Sequence, residues 1–230
     1  MLLDRRDFLK AGAANASVLF AGFLGIGAGI SSGFGFLRSS KALAETATLA
    51  EGDVKTGANG LYVQPWFEDS FLDLGEELEA AALKNKQLVL IFEQTGCPYC
   101  KELHKVNLSR PEIADFMKEN YHVVQLDIRG SREVVDFNGK TLSETGFARQ
   151  AQIHFTPTLS FFPRNSSKVI GKTGRDAEAF RLTGYWKPFH FETVLRFVRD
   201  GAYKEENLQT YLSERLKTLK REGKTQEVWD

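Results

Sequence analysis

Phe92-Glu93-Gln94-Thr95-Gly96-Cys97-Pro98-Tyr99-Cys100 decides the reading of this chain. The run from Gln87 to Phe92 has the continuous apolar character of a central strand covered on both faces. Thr95-Gly96 then leads straight into the cysteines. Pro98 suits the first turn of a helix, where its missing N–H costs nothing, so Cys97 is expected at the helix start. There the free backbone N–H groups and the positive end of the helix dipole stabilise a thiolate. Cys97 is therefore the expected nucleophile, with Gly96, Pro98 and Tyr99 shaping the helix start. Cys100 returns one turn later, less exposed, as the thiol that resolves a mixed disulfide. Lys101 adds positive potential beside the pair, which Glu102 offsets.

The chain has only two cysteines. Neither can belong to a structural bridge elsewhere, so any redox chemistry ends on another molecule, and stability must come from a core. Cys97, Cys100 and His104 also have a spacing seen among metal ligands, and His154 could come close to them in the fold. Structural zinc needs four well-placed ligands, though, and no second CxxC or HxxxH is present. His104 on a helix face reads as a surface residue, and no metal or cofactor is expected. Covalent haem attachment needs His after the second cysteine, where Lys101 stands.

Further along, Phe71, Leu74, Leu78 and Ala82 predict one helix, with Ser70 and Asp73 as start signals. Pro111 opens another with Ile113, Phe116 and Met117. Tyr121 to Ile128 reads as a second strand. Asn138-Gly139, between Val134-Val135-Asp136-Phe137 and Thr141-Leu142, predicts a small inserted hairpin. A helix over 143–152, a strand over 158–162, a fourth strand around 168–172 and a fifth over 181–184 follow. Phe191, Val194, Leu195 and Val198 stripe a later helix, and Leu208, Leu212, Leu216 and Leu219 a last one that packs on its own domain or dimerises. This is an α/β arrangement: a central mixed β-sheet flanked by helices, with a hairpin insertion and a C-terminal helical extension.

The nonapeptide resembles the thioredoxin fold and, more narrowly, SoxW-type periplasmic thioredoxins. The likeness continues in Thr156-Pro157-Thr158 and Gly184-Tyr185 and spans about residues 65–205. The resemblance implies that Pro157 is a cis-proline opposite the cysteines, with Thr156 offering its backbone to an extended client as a short added strand. It also implies a dithiol–disulfide carrier that reduces client protein disulfides in sulfur-compound oxidation, itself recharged by a membrane thiol donor of the CcdA or DsbD kind. Two departures matter. Gly96 stands where cytoplasmic thioredoxins carry Trp, and Ile91 stands where they bury an aspartate. Glu93 is the nearest acidic residue that could accept the Cys100 proton in its place, the other reading being a carboxylate at the strand's end that faces water.

Alternatives are an oxidase or isomerase of the DsbA or DsbC kind, since the Pro-Tyr dipeptide is shared with glutaredoxins, and a metal-binding or peptide-docking module. The formal net charge of zero gives no footing for nucleic acid.

The first 44 residues read as a separate object. Arg5-Arg6-Asp7-Phe8-Leu9-Lys10, an uncharged stretch over 11–37 and Ala42-Leu43-Ala44 resemble a twin-arginine export signal cleaved after Ala44, the alternative being an uncleaved membrane anchor, since the stretch is long enough to span a bilayer. That places the mature protein in the periplasm, delivered by the Tat machinery. Residues 45–64 read as a flexible lead-in, 65–202 as the thioredoxin-like domain and 203–230 as an amphipathic helix and tail.

Overall fold

Every residue of the first strand, β1 (Gln87–Glu93), is buried, as its apolar run demands of a strand paired on both edges. In the computed structural model, which describes residues 54–224, β1 runs parallel to β2 (Tyr121–Asp127), with Gln87 opposite Tyr121 and Glu93 opposite Asp127. On its other edge β1 pairs antiparallel with β5 (Thr158–Phe161), which pairs antiparallel with β6 (Phe180–Thr183). The sheet order is β2-β1-β5-β6. The expected export segment, its cleavage motif at Ala44 and the last six residues lie outside the described residues.

Alternation along β1 divides the core into two layers. Leu88, Leu90 and Phe92 face helices α1 (Leu74–Leu83) and α4 (Glu144–Gln150). Val89 and Ile91 face α3 (Pro111–Asn120), α5 (Pro188–Arg199) and the helix that follows the cysteines. Each of these fully buried aliphatic or aromatic side chains stabilises the fold by about 1.5–3 kcal/mol. Glu93, two residues beyond Ile91, shares the cysteine-helix side of β1.

Three expectations are corrected. Phe71 is fully exposed. The chain turns at Leu72 (φ +65°), whose carbonyl receives the Val135 N–H at 2.9 Å. Leu72 therefore enters the core instead, and α1 begins later. Its cap is Asp73, whose Oδ1 accepts from Gly75 N at 3.0 Å and Glu76 N at 3.1 Å, while Ser70 accepts only from Leu72 N. The buried stripe is Leu74, Leu78 and Ala81, so Ala82 faces solvent. Second, residues 168–172 form no strand. A 3-10 turn (Ser166–Lys168) capped by Asn165 stands there, Gly171 takes φ +81°, and both edges of β5 are already filled.

Third, the stretch ending at Gln64 is folded from Lys55 onward. Thr56 bridges Tyr62, Val63 N donates to Lys55 O at 2.9 Å and Glu68 N to Val123 O at 2.9 Å, and Leu61 is buried. Gly and Asn compositions mark turns, and here the turn carries one apolar anchor. This strap, residues 55–68, lies along β2.

The hairpin forms as expected, from β3 (Glu133–Val135) and β4 (Thr141–Ser143). The terminal helix α6 (Leu208–Arg221) packs on its own domain. Leu208 and Tyr211 rest against the core, and Arg215 reaches Glu192 of α5 at 3.1 Å.

Candidate active site

Cys97 caps the helix α2 (Pro98–Glu102), and its Sγ accepts the Cys100 N–H at 3.1 Å. Pro98 occupies the first helical turn, where it lacks only an N–H that would otherwise be orphaned. Gly96 adopts φ +73° with no atom within 4 Å of where a Cβ would stand. Its conformation, not space, calls for glycine here. Cys97 and Cys100 are joined as a disulfide, their Cα atoms 5.2 Å apart. Cys97 retains 3% of its accessible surface and Cys100 none, so only Cys97 is open to attack by an incoming thiolate.

Thr156-Pro157 is a cis peptide. Thr156 Oγ1 donates to Cys97 Sγ at 3.2 Å, and Thr156 O lies 3.6 Å from the same sulfur. Pro157 O accepts from Gly184 N at 2.8 Å, which fixes the loop against the start of the chain segment leading to α5. Phe155 and Tyr99 stand exposed, at 66% and 61%, on the two segments that carry Thr156 and Cys97.

Behind the cysteines lies a buried polar group. Glu93 is fully buried. His104 Nε2 lies 3.2 Å from its Oε1 and 3.1 Å from its Oε2, and Gln125 Nε2 donates to Oε2. The choice between a solvated and a buried Glu93 is thus settled by partners that only the fold brings together. His104, expected on the surface, is 1% exposed. The helix explains this: after α2 it widens into a π-helical segment (Leu103–Asn107), with Leu108 N donating to Leu103 O at 2.9 Å. His104 follows Cys100 by one turn and faces the sheet. Helices widened this way often mark functional sites.

Gln125, Gln64 and Tyr62 carry no signal in the sequence. The period-two alternation through Ile91 to Glu93, together with the four-residue step from Cys100 to His104, would have pointed to the acid–imidazole pair. The partners on β2 and the strap follow no such pattern. His154 is exposed, and among the described residues no group of three or more His, Cys, Asp or Glu is placed to hold a metal ion.

A cysteine pair at a helix start, with one accessible sulfur beside a cis-proline loop, defines a thiol–disulfide oxidoreductase of thioredoxin fold. A family model for the thioredoxin-like domain matches residues 74–199, and the chain belongs to that family. Among solved structures, a thioredoxin-fold protein from Helicobacter pylori is 28% identical over 58% of this chain and 81% of its own, with a TM-score of 0.44. A thioredoxin from Thermus thermophilus is 22% identical over 55% and 83%, with a TM-score of 0.41. The periplasmic thioredoxin SoxS from Paracoccus pantotrophus is 21% identical over 51% and 99%, with a TM-score of 0.33. No curated protein matches.

Proposed function

We propose that this protein is an exported carrier that reduces protein disulfides in the periplasm, as part of sulfur-compound oxidation. The observation that carries the reading is the placing of Cys97 Sγ at the helix N-cap, against the backbone of Thr156 and beside cis-Pro157. The Cys97 thiolate attacks a client disulfide. One client sulfur joins Cys97, the other leaves as a thiolate and takes a proton from solvent. Cys100 then gives its proton to Glu93, and its thiolate attacks Cys97 Sγ. That closes the Cys97–Cys100 bond and releases the second client sulfur as a thiolate. Two electrons pass to the client. A thiol donor of the membrane, of the CcdA or DsbD kind, restores the dithiol.

Thr156 and Pro157 hold the client as an extended segment. Arg5-Arg6 and Ala42-Leu43-Ala44 support export by the twin-arginine route with cleavage after Ala44.

The reduction potential, measured against glutathione alongside an insulin-reduction assay, tests the direction. A reductant is expected near thioredoxin's, about −270 mV, with rapid insulin precipitation. A potential near that of DsbA, about −120 mV, without reductase activity would replace this reading with the oxidase one.

A further inference from the structure

The strap that precedes α1 reaches the buried acid behind the cysteines. A carboxylate with no solvent contact keeps its charge only if donors replace water. Glu93 has two such donors. One is Gln125 Nε2, which also donates to Tyr62 O on the strap at 2.6 Å, so both amide hydrogens are committed. The other is His104 Nε2. An imidazole donates from Nε2 while neutral only if its proton sits there and not on Nδ1. His104 Nδ1 faces Gln64 Nε2 at 3.2 Å. An amide hydrogen pointed at Nδ1 makes that nitrogen the acceptor and puts the ring proton on Nε2, toward Glu93. The ring is flanked by Tyr62 and Phe67 of the strap, at centroid distances of 5.9 and 5.6 Å. The strap is also held to the cysteine loop, where Thr95 Oγ1 donates to Asn59 O at 3.4 Å.

We propose that His104 and Gln64 are positioning residues for thiol exchange: Gln64 fixes the His104 tautomer, and His104 keeps Glu93 ionised and ready to take the Cys100 proton. This makes residues 55–67 part of the redox site, although they precede the segment that the family model covers. The inference rests on the reading of Glu93 as that proton acceptor. Glu93 from β1, Gln125 from β2, and Gln64, Tyr62 and Phe67 from the strap surround the pair. The proton bookkeeping is that of the exchange itself: Cys100 Sγ–H loses its proton to Glu93 as its sulfur bonds to Cys97 Sγ.

The test follows the release of a reporter thiol from a preformed Cys97 mixed disulfide, by stopped flow from pH 5 to 10. His104→Phe removes the Nε2 donor, and resolution is expected to slow on the order of tenfold or more at pH 7. It should recover as pH passes the free-thiol range near about 8.5, where Cys100 ionises unaided. His104→Gln restores an amide donor and should return the profile toward wild type, which a merely space-filling role would not require. Gln64→Leu leaves Glu93 and His104 in place and should slow the neutral-pH rate several-fold in a protein of unchanged melting temperature.

Wild-type profiles for both His104→Phe and Gln64→Leu would overturn the proposal. If His104→Phe does not fold, Gln64→Leu decides alone. Glu93→Gln separates the two claims. A slow Glu93→Gln with a normal Gln64→Leu and His104→Phe removes only the positioning role, whereas a normal Glu93→Gln removes the acceptor and this inference with it.

Discussion

Two buried histidines, His104 and His122, sit at opposite ends of the parallel β1–β2 pair and do different work. His104 meets one carboxylate, Glu93, and one amide, Gln64. His122, at 2% exposure, meets two carboxylates: Nε2 is 2.5 Å from Glu77 Oε2 and Nδ1 is 3.1 Å from Glu68 Oε1, the latter without hydrogen-bond alignment. Both ring nitrogens of His122 thus face carboxylates, Glu77 at Nε2 and Glu68 at Nδ1. That cluster joins α1, the strap and β2, and Lys84 extends it by reaching Glu68 at 3.2 Å. At His104 the single carboxylate leaves one ring nitrogen to an uncharged partner, the Gln64 amide. Leu88 pairs with His122 and Glu93 with Asp127, so the two sites are separated by five residues, about 17 Å of strand. The reactive one lies at the carboxyl end of the parallel strands, where open α/β sheets place their sites.

The contrast between the two histidines breaks most decisively at His122. Its replacement by Ala leaves Glu77 and Glu68, at 16% and 27% side-chain exposure, without the ring that lies between them. Partial solvation softens the penalty of a broken buried pair, so a loss of about 2–3 kcal/mol in urea unfolding is expected. The resolution rate of folded protein should be unchanged at pH 7. A slowed resolution in His122→Ala would erase the distinction between the two sites.

A second carboxylate offers a pH test away from both. Burial alone would raise the pKa of Asp136, but hydrogen bonds from the Gln150 side chain and the Asn138 and Lys140 backbone outweigh it and hold the carboxyl below its usual range. A folded pKa below the unfolded one means that its contribution is fully present above the usual carboxylate range. It is lost as pH falls through the depressed value. Protection of the Asn138 and Lys140 amides, taken relative to the intrinsic exchange rate at each pH, should therefore fall only in acid, and Asp136→Asn should remove that pH dependence at a cost of about 1–2 kcal/mol. Protection factors at these two amides that stay unchanged down to pH 2 would contradict this.

Smaller effects belong to local conformation. Asp73→Ala is expected to cost about 1 kcal/mol through the lost cap of α1, and Gly96→Ala about 1–2 kcal/mol through its left-handed backbone, both read from urea midpoints. The Gly96 change should also alter exchange rates, since it moves the Cys97 cap. Asp73→Ala should not.

Much of the fold and the centre of the site are legible in the amino-acid sequence. The apolar run, the glycine before Cys97 and the proline after it place the strand–cysteine–helix junction. Asn138-Gly139 places the hairpin, and Thr156-Pro157 places the loop that meets the sulfur. Periodicity finds helix α1 but not its start, because Phe71 continues the apolar spacing while the positive φ of Leu72 turns it outward. The strand expected at 168–172 fails because the Asn165-capped 3-10 turn and the left-handed Gly171 bend the chain there. The spacings of Glu93 and His104 carry a signal for that pair, but the strap eludes a sequence reading: composition shows that a residue is polar, not whether the fold supplies a partner that lets it be buried.

The paired cysteine variants test the central claim most directly. Cys100→Ser, expressed as the full chain in a bacterium and recovered by non-reducing electrophoresis, should hold client proteins as stable mixed disulfides through Cys97, and Cys97→Ser should hold none. Capture by Cys97→Ser with none by Cys100→Ser would reverse the roles of the two sulfurs and contradict the account.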